Sequence, residues 1–196
     1  MMSNPMLSRL GEQEYLNGEL TSEMRHEYVD GEVYAMAGAG EAHNLIAGNV
    51  FAKLRDFARG GPCRVFISDM KLHVQTWKAY YYPDILVTCD PADSHSHFKE
   101  RPSLVIEVLS SGTEKTDRRE KMLAYRTLAS LKEYVIVASD KRHIEIYRRD
   151  EQDEWQLAVS NTNEPVLLES VGTRLTLDEI YEDVKLDVPS SGLRLP

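Results

Sequence analysis

The strongest constraint in this chain of 196 residues is a pair of apolar runs, each broken by a single carboxylate. Leu104-Val105-Ile106-Glu107-Val108-Leu109 is one, and Tyr81-Tyr82-Pro83-Asp84-Ile85-Leu86-Val87 is the other. Strands this apolar are usually covered on both faces. A carboxylate inside one is costly unless it is paired, hydrogen-bonded or bound to a metal. Pro83 has no N–H to give to a sheet ladder, so Asp84 belongs near a strand start or on an edge. Two such groups on neighbouring strands would form a hard-oxygen site suited to Mg2+ or Mn2+. The plainer alternative pairs Glu107 with an arginine and leaves Asp84 to close a turn.

The rest of the chain surrounds these runs with alternating elements. Residues 6–17 suit a short helix. His26 to Met36 reads as a hairpin, because Asp30-Gly31 is a favoured type I′ turn. Ile46, Val50, Leu54 and Phe57 recur at helical spacing over 41–58, with Gly60-Gly61 as the stop. Strand candidates lie at 63–67, 70–76, 80–88 and 103–109, with a polar loop from Pro91 to His97. A second helix over 116–129 has Asp117 and Glu120 placed as a capping box. Strands at 133–138, 143–148 and 155–159 follow, then a short helix from Leu177-Asp178. Strands interleaved with two strong helices predict an α/β (α+β) domain with a mixed sheet. The length fits a single domain over 1–196, with the end from Pro189 read as a frayed tail.

Composition narrows the function classes. No apolar run approaches the length of a bilayer span, and the N-terminus lacks the pattern of a secretory signal. Two cysteines, Cys63 and Cys89, are too few for a disulfide framework and the wrong pattern for zinc. Both sit in apolar stretches and read as buried free thiols of a cytoplasmic protein. The net charge of −9 opposes wholesale attraction to nucleic acid. An acidic protein that works on DNA must therefore neutralise phosphate locally, with metal ions and a few basic side chains.

A third element joins the acid pair. After Glu107 comes the segment Ser110 to Thr113, then the helix with Asp117, Arg118, Arg119 and Lys121. Lys121, Tyr125 and Leu128 share one helical stripe, which places Lys121 at the N-terminal end of the inward face. From there it can reach the carboxylates. The alternative is an i,i+4 pair with Asp117 on a solvated face.

The stretches HEYVDGEVYAMAGAGEAHNLIAGNV, YYPDILVTCD and LVIEVLSSGTEKTDRREKMLAYRTLASLKEYVIV together resemble the Uma-two family of restriction endonucleases. The likeness runs from about Tyr15 to Tyr181. It implies the PD-(D/E)XK fold, a restriction-endonuclease-like mixed sheet flanked by helices, here with an N-terminal hairpin extension. Pro83-Asp84 matches the PD element and Glu107 the acid of the following strand. The usual pattern puts lysine two residues after that acid, and here Leu109 occupies the position. Lys121 is the natural substitute, matching the family's lysine after its Asp-Arg pair. Glu27 stands where the family has an acid ahead of its hairpin, and is a further candidate ligand. His43 resembles a family histidine but reads as a capping or structural group.

These matches imply a Mg2+- or Mn2+-dependent endonuclease acting on DNA. Asp84, Glu107 and the Val108 backbone carbonyl hold the ion, and Lys121 completes the catalytic set. Nucleases of this fold often act as homodimers, which is the expectation here; no membrane partner is expected. Asp69-Met70-Lys71 mimics an acid-x-lysine pair but lacks a second carboxylate. Lys141 to Arg149 alternates basic and apolar residues, as a strand with a basic outer face would. One rival is a catalytically inactive DNA-binding or protein-interaction module that keeps the fold, with Leu109 as a sign of decay. A hydrolase of small phosphate esters ranks lower, because no phosphate-cradling glycine loop is visible.

Overall fold

The computed structural model describes residues 9–36, 38–109, 114–162 and 164–186, the side chains of 114–118 apart. In chain order the elements are α1 (Glu12–Glu19), β1 (His26–Val29), β2 (Glu32–Ala35), α2 (Glu41–Phe57), β3 (Arg64–Ile67) and β4 (Lys71–Val74). Then come β5 (Ala79–Tyr81), β6 (Ile85–Thr88), β7 (Phe98–Lys99), β8 (Leu104–Leu109), α3 (Glu114–Arg126) and β9 (Glu133–Ala138). The last are β10 (Ile144–Arg149), β11 (Trp155–Ser160), β12 (Val166–Leu168), β13 (Thr173–Leu175) and α4 (Leu177–Ile180).

Two mixed sheets carry the fold. The larger runs β11-β10-β9-β8-β6-β3, the smaller β2-β1-β5-β4-β7, and β12 and β13 form a separate hairpin. In the larger sheet only β8 and β9 are parallel. Their crossover is α3, as a parallel pair requires a long connection. Every residue of β8 and β9 is buried, in agreement with the apolar run read from the sequence. Leu104, Ile106 and Val108 join the core beneath α2 and α4. Val105 and Leu109 join the core beneath α3. The two-residue alternation of a strand therefore turns Glu107 toward α3.

The run expected as one strand over 80–88 is two. β5 belongs to the smaller sheet and β6 to the larger, so Tyr82-Pro83-Asp84 is the joint between them. Pro83, which can give no ladder hydrogen bond, sits where neither ladder needs one. The hairpin turn behaves as the sequence predicts: Asp30 and Gly31 both take positive φ, 43° and 99°. Below the smaller sheet, Tyr15 of α1 packs against Tyr28 and Tyr80.

Other expectations need correction. α3 starts at Glu114, so Asp117 lies inside the helix rather than at its cap, and its side chain is outside the described residues. Three short strands, β7, β12 and β13, carry too few residues to leave a periodic signal. The two cysteines are not free: Cys63 and Cys89 form a disulfide. The antiparallel register pairs Arg64 with Thr88, so residues 63 and 89 face each other one step beyond the ladder. The thiols thus give no argument for a reducing compartment. Residues 189–196, expected to fray, lie outside the described residues. No helix among the described residues is long and apolar enough to cross a membrane.

Candidate functional site

The joint between the sheets brings the two acidic runs together. Asp84 sits one residue before β6, and Glu107 lies in β8, the antiparallel neighbour of β6 with Ile85 opposite Ile106. Each carboxylate is held by the backbone beside the other. The Val108 N–H donates to Asp84 Oδ2 at 2.7 Å, and the Asp84 N–H lies 3.4 Å from Glu107 Oε2. Glu107 is 4% exposed. Its Oε1 accepts from the fully buried Tyr125 hydroxyl at 2.9 Å. Burial raises the Tyr125 hydroxyl well above its usual range, which keeps it a proton donor to Glu107.

Lys121 arrives from α3 as the helical stripe predicts. Its Nζ is 2.9 Å from Glu27 Oε1 and 3.5 Å from Glu107 Oε1. Glu27 comes from β1, and its Oε1 also accepts the Tyr82 N–H at 3.2 Å. Glu27 is not an exposed strand residue, since its side chain is only 16% exposed. Leu109, on the same strand face as Glu107, packs into the core under α3. The cation that the usual pattern takes from that strand reaches the acids from the neighbouring helix instead.

His43 is the residue that sequence reasoning undervalued. The N-cap of α2 is Gly40, so His43 is not a cap. Its Nε2 lies 3.1 Å from Asp84 Oδ2. Hydrogen bonding to Asp84 raises its pKa, against burial, and the Val108 backbone adds to the rise. The available signal was position: His43 stands on the first turn of a helix preceded by Gly38-Ala39-Gly40. Tyr125 was read only as a stripe residue, and nothing in the local pattern marked its hydroxyl.

Burial pushes the Glu107 carboxyl up to about 7; the Lys121 ammonium opposes this, while Asp84 and Glu27 add to it. A second buried glutamate shows what a structural role looks like here. Glu133, 1% exposed, receives Arg148 Nε at 2.7 Å and the N–H groups of Glu169 and Ser170 at 3.1 and 2.8 Å. Arginine pairing, weighed for Glu107, belongs to Glu133. Glu107 instead faces a cleft of about 640 Å³ that Glu27, His43, Asp84 and Lys121 also line.

The remaining candidates fall elsewhere. Asp69 is exposed and pairs with Arg25, while Lys71 is buried against the Tyr82 hydroxyl at 3.3 Å, its pKa lowered by burial. Several basic residues of 141–149 are engaged: Arg142 pairs with Asp178, Arg148 holds Glu133, and Arg149 donates to the Arg126 and Leu128 carbonyls. The side chains of Lys115, Asp117 and Arg118 lie outside the described residues.

Residues 12–178 match the family model described as "Uma2: Putative restriction endonuclease". The chain belongs to the Uma2 family. Two relatives come from Synechocystis sp. (strain PCC 6803). The uncharacterised protein slr1290 is 34% identical over 88% of this chain and 92% of its own length. The uncharacterised protein sll1609 is 30% identical over 74% and 83%. Among solved structures, "a putative nuclease belonging to DUF820 from Anabaena variabilis" superposes with a TM-score of 0.70 at 15% identity. It covers 87% of this chain and 96% of its own, which supports the restriction-endonuclease-like fold.

The Uma2 site can be tested for fit to a divalent cation by its donors. Among the described residues no cluster of three His, Cys, Asp or Glu side chains is already drawn together around a metal position. Lys121 instead supplies the positive charge between Glu27 and Glu107. In donor type, the Glu27, Asp84 and Glu107 carboxylates that line the cleft offer the hard-oxygen chemistry that Mg2+ and Mn2+ prefer. The residues fit.

Proposed function

We propose that this protein is a metal-dependent nuclease that hydrolyses DNA phosphodiester bonds at the Asp84–Glu107 site. The observation that carries the reading is Glu107. It is a carboxylate buried at considerable cost, facing a cleft, beside a second carboxylate, with a lysine aimed at both it and Glu27. Family membership supports the reaction class.

Asp84 and Glu107 would hold Mg2+ or Mn2+, with Glu27 and the Val108 carbonyl as further donors. Such an ion makes bound water more acidic and neutralises charge on a phosphate oxygen. Lys121, beside Glu107, would orient the attacking water or offset charge on the non-bridging oxygens. Tyr125 fixes the Glu107 rotamer by its hydrogen bond. His43 holds the Asp84 carboxylate from the α2 side. Water oxygen bonds to phosphorus, the phosphorus–O3′ bond breaks, and the proton ends on the 3′ oxygen.

The test is incubation of the purified protein with plasmid and a panel of divalent ions. Cleavage is expected with Mg2+ or Mn2+ and none with excess chelator. Cleavage undiminished by chelator would sink the reading. An inactive module that keeps the fold is favoured by one observation, the Lys121 ion pairs that fill the space between Glu27 and Glu107. A metal panel without cleavage, together with retained DNA binding, would select it.

A further inference from the structure

The cleft has a second wall that the hydrolytic chemistry does not use. In the β1–β2 hairpin Glu27 pairs directly with Tyr34, so the Tyr34 ring stands on the same face of the sheet as the site carboxylate. All four residues of β2 are exposed, and β2 is the outer strand of the smaller sheet. Tyr34 is 50% exposed, and Met36 and Ile67 beside it are each 36% exposed. All three line the same cleft as Asp84 and Glu107. The Tyr34 hydroxyl donates to the Glu32 carboxylate, while the residue lines the cleft. Among the described residues that line this cleft, the only cationic side chains are Lys121 and the histidine His43, and both are engaged with the acids.

In a duplex the base faces are covered by stacking, so an exposed ring finds no face to meet there. An apolar wall with one aromatic ring suits an unstacked base, whose π-face needs no counter-charge. We propose that the Tyr34–Met36–Ile67 wall receives an unpaired nucleobase, with single-stranded DNA as the substrate class of this site. The inference rests on the nuclease reading above and narrows it.

Binding of a fluorescent single-stranded oligonucleotide and of its duplex would be measured by anisotropy in Ca2+, with Mg2+ cleavage of both in parallel. The variants are Tyr34→Leu, which keeps an apolar side chain of strand-compatible shape but removes the ring, and Tyr34→Phe, which keeps the ring. Melting curves verify that both fold. The wild type is expected to bind single strands at least tenfold more tightly than duplex. Tyr34→Leu is expected to weaken single-strand binding about tenfold, the scale of one base–aromatic stack, and Tyr34→Phe to retain it. Equal affinity for duplex and single strand, with Tyr34→Leu weakening neither selectively, would overturn the proposal and leave the nuclease reading standing. Absence of both binding and cleavage on every DNA would overturn the nuclease reading, and this one with it.

Discussion

Glu107 and Glu133 are buried glutamates on adjacent parallel strands, yet they answer to different demands. Glu133 is balanced by Arg148 and two backbone donors, so Glu133→Gln removes the charged partner of a half-buried guanidinium that keeps Glu169 and the Leu167 carbonyl. Loss of such a charge-assisted hydrogen bond commonly costs about 1–3 kcal/mol, and chemical denaturation should show a loss of that order. Glu107→Gln leaves Lys121 with Glu27 and keeps an acceptor for Tyr125. Cleavage should vanish while metal-free stability holds or rises. The pH dependence follows from the same residue. Its carboxyl, raised from an ordinary 4.5 to about 7, binds its proton more tightly in the folded than in the unfolded protein. Glu107 therefore favours the fold as pH falls from about 7 toward 4.5, and that contribution is lost as pH rises through about 7. Subtracting the Glu107→Gln profile from the wild-type profile isolates it; a flat difference would show no raised carboxyl. Lys121→Ala should slow single-turnover cleavage by about a hundredfold to a thousandfold, with metal affinity nearly intact. An effect no larger than that of Arg119→Ala would make Lys121 one more surface charge.

At the scale of elements, the hairpin and the sheet joint position the site. Gly31 has φ 99°, and a Cβ there would lie 2.6 Å from Arg9 Cβ. Gly60 also has positive φ, 75°, but open space around it. Gly31→Ala should therefore cost more than Gly60→Ala, by roughly 1–3 kcal/mol, and should displace Glu27 with the hairpin. Thermal melts compare the two, and equal losses would remove the hairpin from the account. The helices α2 and α3 and the strands β8, β9 and β10 were legible because each is long enough to show its own period. The Asp30-Gly31 turn was legible because its geometry selects its residues. The break inside 80–88 was half visible in Pro83, but which sheet each half joins is decided by partners distant in sequence. The acid pair and Lys121 could be read from the cost of burial and from helical phase. His43 and the Tyr125 hydroxyl could not, because a contact 41 residues away to Asp84, or a phenol aimed at one carboxylate, leaves no local pattern.

For the whole molecule, the Cys63–Cys89 bridge, with a sequence separation of 26, closes a loop that contains β3, β4, β5, the Pro83-Asp84 joint and β6. By loop-closure entropy a bridge of this span stabilises by about 3 kcal/mol. A reducing agent, or the double change Cys63→Ser with Cys89→Ser, should lower the melting temperature correspondingly; no shift would mean that the ladder alone holds these strands. Leu157 and Val159 on the outer strand β11 are about half exposed, far from the cleft. The division of the site between two sheets has its own consequence. Asp84 and Glu107 are anchored by the larger sheet, whereas Tyr34, Met36 and the turn that carries them sit on the rim of the smaller one. On the proposed reading, substitutions along that rim would alter which DNA is accepted while leaving Asp84 and Glu107 in place. Inheritance can therefore rewrite the target of such a protein while copying its chemistry unchanged.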